Sequence, residues 1–254
     1  MVTRKSRTEI ERMRQAGRVV AEVLDKIGAE LRPGVSTAHL DALAEAHIRS
    51  AGGTPSFKGY PGISPKRPFP ASVCISIDNE IVHGIPGHRT IQAGQIVSVD
   101  AGAIVDGWHG DAARTYYIGD PPPRVAELID RTREAMLAGI AAAVPGNHID
   151  DISAAVESVA AGAGLGVIRQ FVGHGIGTEM HEEPQVPNYR TGRPGRKLEP
   201  GLCLAIEPMF TLGGYDTRIE PDDWTVVTAD GSMAAHFEHS IAVTDDGPQI
   251  LTLA

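Results

Sequence analysis

Two segments of this chain read alike, and each ends on an acid. Ile91-Gln-Ala-Gly-Gln-Ile-Val-Ser-Val-Asp100 and Leu198-Glu-Pro-Gly-Leu-Cys-Leu-Ala-Ile-Glu207 both run from a turn into a short apolar strand, with the carboxylate six residues after the glycine. An acid that closes an apolar strand is costly to bury alone, so it needs a cation or a hydrogen-bond donor beside it. Asp111, His174 and Glu238 lie in similarly apolar or glycine-rich surroundings. A pair of divalent metals is the simplest partner that all five can share, and it points to a metallohydrolase.

The rest of the chain repeats in the same order. Ile10, Met13, Ala16, Val19, Val20, Val23, Leu24 and Ile27 recur in steps of three and four, which predicts an amphipathic helix over 7–31 ended by Pro33-Gly34. A second helix starts at the N-cap candidates Ser36-Thr37 and runs to about Ala51. The second half gives a helix over 123–143, then Pro145-Gly146, then a helix from about Ile149 to Ala161. His83-Gly-Ile and His174-Gly-Ile add another matched pair. Parallels kept in register predict an α/β (α+β) unit duplicated within one catalytic domain over 1–254. Its halves span about 7–119 and 124–254, each with two helices and a sheet, joined by Asp120-Pro-Pro-Pro-Arg124.

Gly53–Pro70 and 184–200 are rich in Pro and Gly and read as ordered loops. The net charge of −9, from 23 basic and 32 acidic side chains, argues against nucleic acid or an anionic membrane as partner, since both need a basic face. Two cysteines outside any C-x-x-C spacing fit a reducing compartment, and no apolar run reaches membrane-spanning length. With no apolar stretch after its basic opening, the chain is expected to be cytoplasmic.

Asp100 and Asp111 flank Gly102, Gly107 and Gly110, so a hairpin would bring them side by side. Two adjacent carboxylates do not both ionise without a metal or a shared proton. Asp106, in Val-Asp-Gly-Trp, suits a turn better than Asp111 does. His174 and His181 sit seven residues apart in Gly173-His-Gly-Ile-Gly-Thr-Glu-Met-His-Glu-Glu-Pro184, which is not a one-turn zinc-helix spacing, so the two imidazoles have separate roles. His109, His236 and His239 adjoin the candidate ligands and read as supporting groups or as surface residues.

Taken together, Gly173-His-Gly-Ile-Gly, Met180-His-Glu-Glu-Pro, Val99-Asp-Ala-Gly, His109-Gly-Asp-Ala-Ala-Arg, Ala205-Ile-Glu-Pro-Met and Phe237-Glu-His resemble the type I methionine aminopeptidases of peptidase family M24. The resemblance runs from about residue 7 to the C-terminus. It implies the pita-bread fold, two pseudosymmetric halves with antiparallel sheets and helices packed outside, enclosing a dinuclear metal site. It further implies Asp100, Asp111, His174, Glu207 and Glu238 as ligands, with Asp111 and Glu238 shared by both metals. Mostly oxygen ligands and one nitrogen suit Co²⁺, Mn²⁺, Fe²⁺ or Zn²⁺. Glu207 would accept a proton from the attacking water, His181 would polarise the scissile carbonyl, and His83 would bond the peptide. Tyr60, Phe69, Cys74, Met180 and Trp224 would line a methionine pocket, and the insertion at 61–68 departs from the family's pattern beside it. Nascent polypeptide N-termini at the ribosome are the implied substrates of a monomeric enzyme. A proline-directed peptidase on the same fold is the nearest rival, although such enzymes carry an extra N-terminal domain.

Overall fold

Ser6 accepts from the Glu9 amide while the Glu9 carboxylate accepts from the Ser6 amide, and this reciprocal cap starts helix α1 (Arg7–Glu30). Ser36 caps α2 (Thr37–Ser50) through the His39 amide. Helix α3 (Pro123–Ala142) opens on a proline, whose fixed φ and missing N–H suit a first helical position. Helix α4 (Ile149–Ala163) closes on Gly164 in the left-handed conformation. All four lie where their apolar spacing predicts them. The chain is described here from a computed structural model covering residues 2–62 and 67–254. Of the insertion at 61–68, residues 63–66 lie outside the described residues.

Nine antiparallel strands form the main sheet: β1 (Thr54–Pro55), β2 (Val73–Ile77), β3 (Ile96–Val105), β4 (Trp108–Tyr117), β5 (Gly173–Gly175), β6 (Glu182–Val186), β7 (Cys203–Ile206), β8 (Glu238–Thr244) and β9 (Gly247–Ile250). The order is β1-β3-β4-β8-β7-β5-β6, with β2 also on β3 and β9 also on β8. The two halves thus share one sheet instead of closing one each. Strand β4 joins β8 through Ala113↔Glu238 and Ala112↔His239, which removes the two exposed edges that separate sheets would leave. Among the described residues there are two further sheets of three strands each: Gly166–Val167, Met209–Thr211 and Ala234–His236 form one, and Glu80–Val82, Thr217–Ile219 and Val226–Thr228 the other.

The repeat read from the sequence reappears as repeated hydrogen bonds. Gly34 N–H donates to the Ile91 carbonyl at 2.8 Å, and Gly146 N–H to that of Leu198 at 3.0 Å. Gly94 N–H donates to Ile118 at 2.8 Å, and Gly201 N–H to Val243 at 2.9 Å. All four glycines have positive φ, a conformation that costs residues with a Cβ. The turns that launch β3 and β7 are therefore built alike, and they deliver Asp100 and Glu207 to matching places.

Side chains alternate across each strand, and this separates the core from the site. Val97, Val99, Ala101 and Ala103 of β3 pack with Val20, Leu24 and Ile27 of α1. Leu204, Ile206, Ile241 and Val243 pack with Met136 and Ile140 of α3 and Ile149 and Ile152 of α4. Asp100, Gly102, Asp111, Ala113, Ala205, Glu238 and Ser240 occupy the alternate positions, on the face turned away from the helices.

Two loop assignments from the sequence are revised. Glu182–Val186, at the border of the proline-rich stretch, is an edge strand, where Pro184 needs no ladder donor on its open side. Thr54–Pro55 pairs with Ile104 and Ala103, so the first excursion begins on the sheet. Among the described residues, no helix is long and apolar enough to cross a membrane.

Candidate metal centre

Strand register builds the centre. Cys74 pairs with Asp100, Asp100 with Ala113, and Ala113 with Glu238, giving one row across four strands. In the next row Gly102 pairs with Asp111, while Ser240 pairs with Ala205 and Ala205 with His174. Ser240 links the two parts: its Oγ accepts from the Asp111 amide at 3.0 Å and donates to the Asp111 carbonyl at 2.8 Å. Asp100 and Asp111 are therefore diagonal neighbours on one face rather than a directly opposed pair. The shared hairpin is the one the sequence predicts, with Asp106 and Gly107 at its turn in positive φ. Glu207 follows the last residue of β7. Small residues fill the intervening positions, so nothing bulky separates the acids.

Asp111 and Glu238 are 3% and 2% exposed, and His174 is 7% exposed. His174 Nε2 lies 3.4 Å from Glu207 Oε1 and 4.0 Å from Asp111 Oδ2. Its Nδ1 lies 2.8 Å from the Gly175 carbonyl, which assigns the proton to Nδ1 and leaves Nε2 a lone pair facing the acids. Asp111 Oδ1, Asp100 Oδ1 and Glu238 Oε1 are buried with no hydrogen-bond partner. Burial, then repulsion from Asp100 and Glu207, pushes the Asp111 carboxyl well above its ordinary value. Burial, then Asp111 and Glu207, does the same to Glu238, and burial followed by Asp100 raises Glu207. Burial lifts Asp100 to about 7, partly offset by a hydrogen bond with Asp111. Among the described residues no lysine or arginine lines the cavity to neutralise these acids. Orphaned acceptor-only oxygens around a nitrogen lone pair are what divalent cations bind, so the residues fit the implied metals. Two overlapping clusters, Asp111–His174–Glu238 and Glu207–His236–Glu238, have ligand atoms close enough to hold an ion.

A cavity of about 130 Å³ opens from these acids. Every site residue predicted from the sequence lines it: the four acids with His174, His83 and His181, and Tyr60, Phe69, Cys74, Met180 and Trp224. Phe57 lines it as well and was missed, because nothing in a proline-rich excursion marks one phenylalanine from another. Phe69 meets Phe57 edge-on at 6.4 Å and Trp224 at 5.1 Å. Trp224 Nε1 donates to the Arg67 carbonyl at 2.9 Å, and a Cβ on Gly62 would come within 2.5 Å of its ring. Both described ends of the insertion thus grip Trp224. Burial and nearby Asp100 push the Cys74 thiol well above its ordinary pKa, so it stays neutral.

His83 adopts a left-handed φ of 61°, a costly conformation for a residue with a Cβ. Phe171 and Trp224 hold its ring edge-on at 5.5 and 6.1 Å. Burial, with the nearby His181, lowers its pKa to about 4. His181 reaches the open mouth, its Nδ1 2.6 Å from the Tyr60 hydroxyl and its ring 4.3 Å from that of His174. Desolvation lowers its pKa also, so both imidazoles are neutral near pH 7.

Of the three supporting histidines, His236 is the closest to the acids, 1% exposed with Nε2 at 3.7 Å from Glu207 Oε2. His109 meets the Ser56 hydroxyl at 3.0 Å and His239 that of Thr252 at 2.7 Å. Asn188, unmarked in the sequence, donates to the Glu207 carbonyl at 3.0 Å and anchors the backbone there.

Residues 11–245 match the model of metallopeptidase family M24. The chain is 52% identical over 256 residues to a methionine aminopeptidase of Clostridium acetobutylicum, covering 100% of this chain and 99% of that one. A crystal structure of methionine aminopeptidase from Rickettsia prowazekii superposes with a TM-score of 0.95 at 39% identity, covering 100% of both chains. Prolidase from Pyrococcus furiosus shares the fold alone: the TM-score is 0.80 at 21% identity, and the match spans 65% of that longer chain.

Proposed function

The chain belongs to metallopeptidase family M24, among its methionine aminopeptidases, and from that premise we propose that it removes the initiator methionine from new proteins whose second residue is small. The observation that carries this reading is a cluster of orphaned buried acids on the same cavity as a set of aromatic and sulfur-bearing side chains. Such a cavity of aromatic rings and a thiol suits a flexible thioether side chain.

Asp100, Asp111, His174, Glu207 and Glu238 would hold two divalent ions, Co²⁺, Mn²⁺, Fe²⁺ or Zn²⁺, with Asp111 and Glu238 common to both. Bound there, such ions supply Lewis-acid polarisation and a water of lowered pKa. The chain's own groups do the rest. Tyr60, Phe69, Cys74, Met180 and Trp224 seat the methionine side chain and exclude water from it. His83, its ring fixed between Phe171 and Trp224, bonds the peptide near the scissile amide. Neutral His181, oriented by Tyr60 at Nδ1, presents Nε2 to the carbonyl oxygen and stabilises the charge that develops there. The Glu207 carboxylate accepts the proton of the attacking water and passes it toward the leaving amine. The substrates are nascent chains, met in the cytoplasm by a monomer.

Metal-reconstituted protein incubated with Met-Ala-Ser, Met-Arg-Ser and Ala-Pro-Ser peptides, read by mass spectrometry, tests this. Loss of one methionine from the first alone is expected. Comparable cleavage of Met-Arg-Ser overturns the small-residue rule, and cleavage of Ala-Pro-Ser alone overturns the methionine reading.

A further inference from the structure

His181 and Met180 sit at the end of the loop between β5 and β6, and loops of this kind are ordinarily the mobile parts of a site. This one is tied at several points. Glu182, the first residue of β6, folds its side chain back so that Oε1 accepts from the Thr178 amide at 3.1 Å and the Glu179 amide at 3.4 Å. Gly177 N–H donates to the Glu179 carbonyl at 3.1 Å, and His109 N–H to that of Gly177 at 2.9 Å.

The other oxygen of Glu182 faces a segment far away in sequence. Lys5 Nζ lies 2.5 Å from Glu182 Oε2, and the Thr3 hydroxyl donates to the same oxygen at 2.9 Å. The two charged side chains are 4% and 11% exposed, an unusual depth for a lysine. Lys5 is itself held, since its amide donates to the Gly201 carbonyl at 2.7 Å, in the turn that launches β7. The fit leaves no slack. A Cβ on Gly177 would stand 2.3 Å from Glu182 Oε1 and 2.5 Å from Lys5 Cε. An ion pair in this position is weak evidence for stability, because desolvation cancels much of its attraction. What it does secure is geometry, one residue from His181.

We propose that Lys5 is a positioning residue for His181: the N-terminal strap, Thr3 to Lys5, clamps Glu182 and so fixes the loop that presents His181 to the substrate carbonyl. This rests on the reading of His181 as the group that polarises that carbonyl. Lys5 touches neither substrate nor metal ligand. Its effect passes through Glu182 to the loop backbone, while Tyr60 sets the ring.

Steady-state kinetics with a Met-Ala-Ser peptide and metal titration by calorimetry, on wild type, Lys5→Met, His181→Ala and the double variant, test the proposal. His181→Ala is expected to lose ~100- to 1,000-fold in kcat, as loss of one oxyanion donor does. Lys5→Met is expected to lose roughly 10-fold or more in kcat with little change in KM and unchanged metal stoichiometry. In the His181→Ala background the same substitution should cost nothing further, because residues acting through one another are not additive. Should Lys5→Met fail to fold, Glu182→Gln removes the charge while keeping an acceptor for the two amides, and the same pattern is expected. Wild-type kcat in the lysine variant, or a loss that persists in full when His181 is absent, overturns the proposal. If His181→Ala itself keeps its kcat, the reading of His181 falls first and is seen to fall separately.

Discussion

Asp111 and Glu238 sit deeper than carboxylates ordinarily do, with no cationic side chain lining their cavity among the described residues. The pH response of the centre follows from this. Carboxyls raised to about 7 at Asp100, and well above their ordinary range at Asp111, Glu207 and Glu238, carry protons that a cation must displace. Raised folded values also mean that, without a cation, folding stability is fully present below the ordinary carboxylate range and is lost as pH rises through about 7. His174, lowered to about 3, is a free base throughout. Both carboxylate effects have one sign, so the gain in Tm on adding Mn²⁺ to metal-stripped protein should grow from pH 5.5 to 8. Scanning calorimetry with and without the ion measures it, and a gain that stays flat or shrinks counts against a carboxylate-held cation. At this scale the acids were legible because each breaks an apolar run, and Asp106 was separable from Asp111 by its turn dipeptide. Lys5, Asn188 and Phe57 were not, because nothing local in sequence distinguishes a lysine near the N-terminus that ends up buried from one that remains in water.

Helix α1 meets β4 closely enough that two glycines touch. A Cβ on Gly110 would lie 2.6 Å from the Gly17 nitrogen, and one on Gly17 would lie 2.2 Å from the Leu251 carbonyl oxygen. Gly110 directly precedes Asp111, so this contact helps set the height of that carboxylate above the sheet. Glycine inside a helix ordinarily costs up to ~1 kcal/mol relative to alanine, and Gly→Ala there is a common stabilising change. At position 17 the sign reverses, since the added methyl must displace the backbone of the C-terminal segment, an overpacking cost of about 1–3 kcal/mol. Gly17→Ala should therefore lower Tm, and a rise in Tm would show that the contact is loose. The helices themselves were readable because caps and apolar spacing are local signals. Strand β6 was not, because Pro184 and its neighbours have turn composition and only an open edge lets them pair.

The molecule as a whole reuses one scheme twice. Matching glycine turns launch β3 and β7, and the pairing of β4 with β8 brings the two acid-bearing halves onto a single face. The recurrence was visible in the chain because the turn chemistry demands the same residues both times. Which strands would pair across the halves was not, and neither was the tie between Lys5 and Glu182, since contacts so distant in sequence leave no periodic trace. The central claim is that one shared centre, built from both halves, performs the hydrolysis. Asp111 is the residue to remove, as it lies beside Glu238 at the junction and is assigned to both ions. Metal titration of stripped wild type and Asp111→Ala, with methionine release from a Met-Ala-Ser peptide followed on the same samples, is the most direct measurement. Wild type should take up two equivalents and turn over, while Asp111→Ala should lose tight binding and activity together. Full activity in the Asp111→Ala protein would contradict the account.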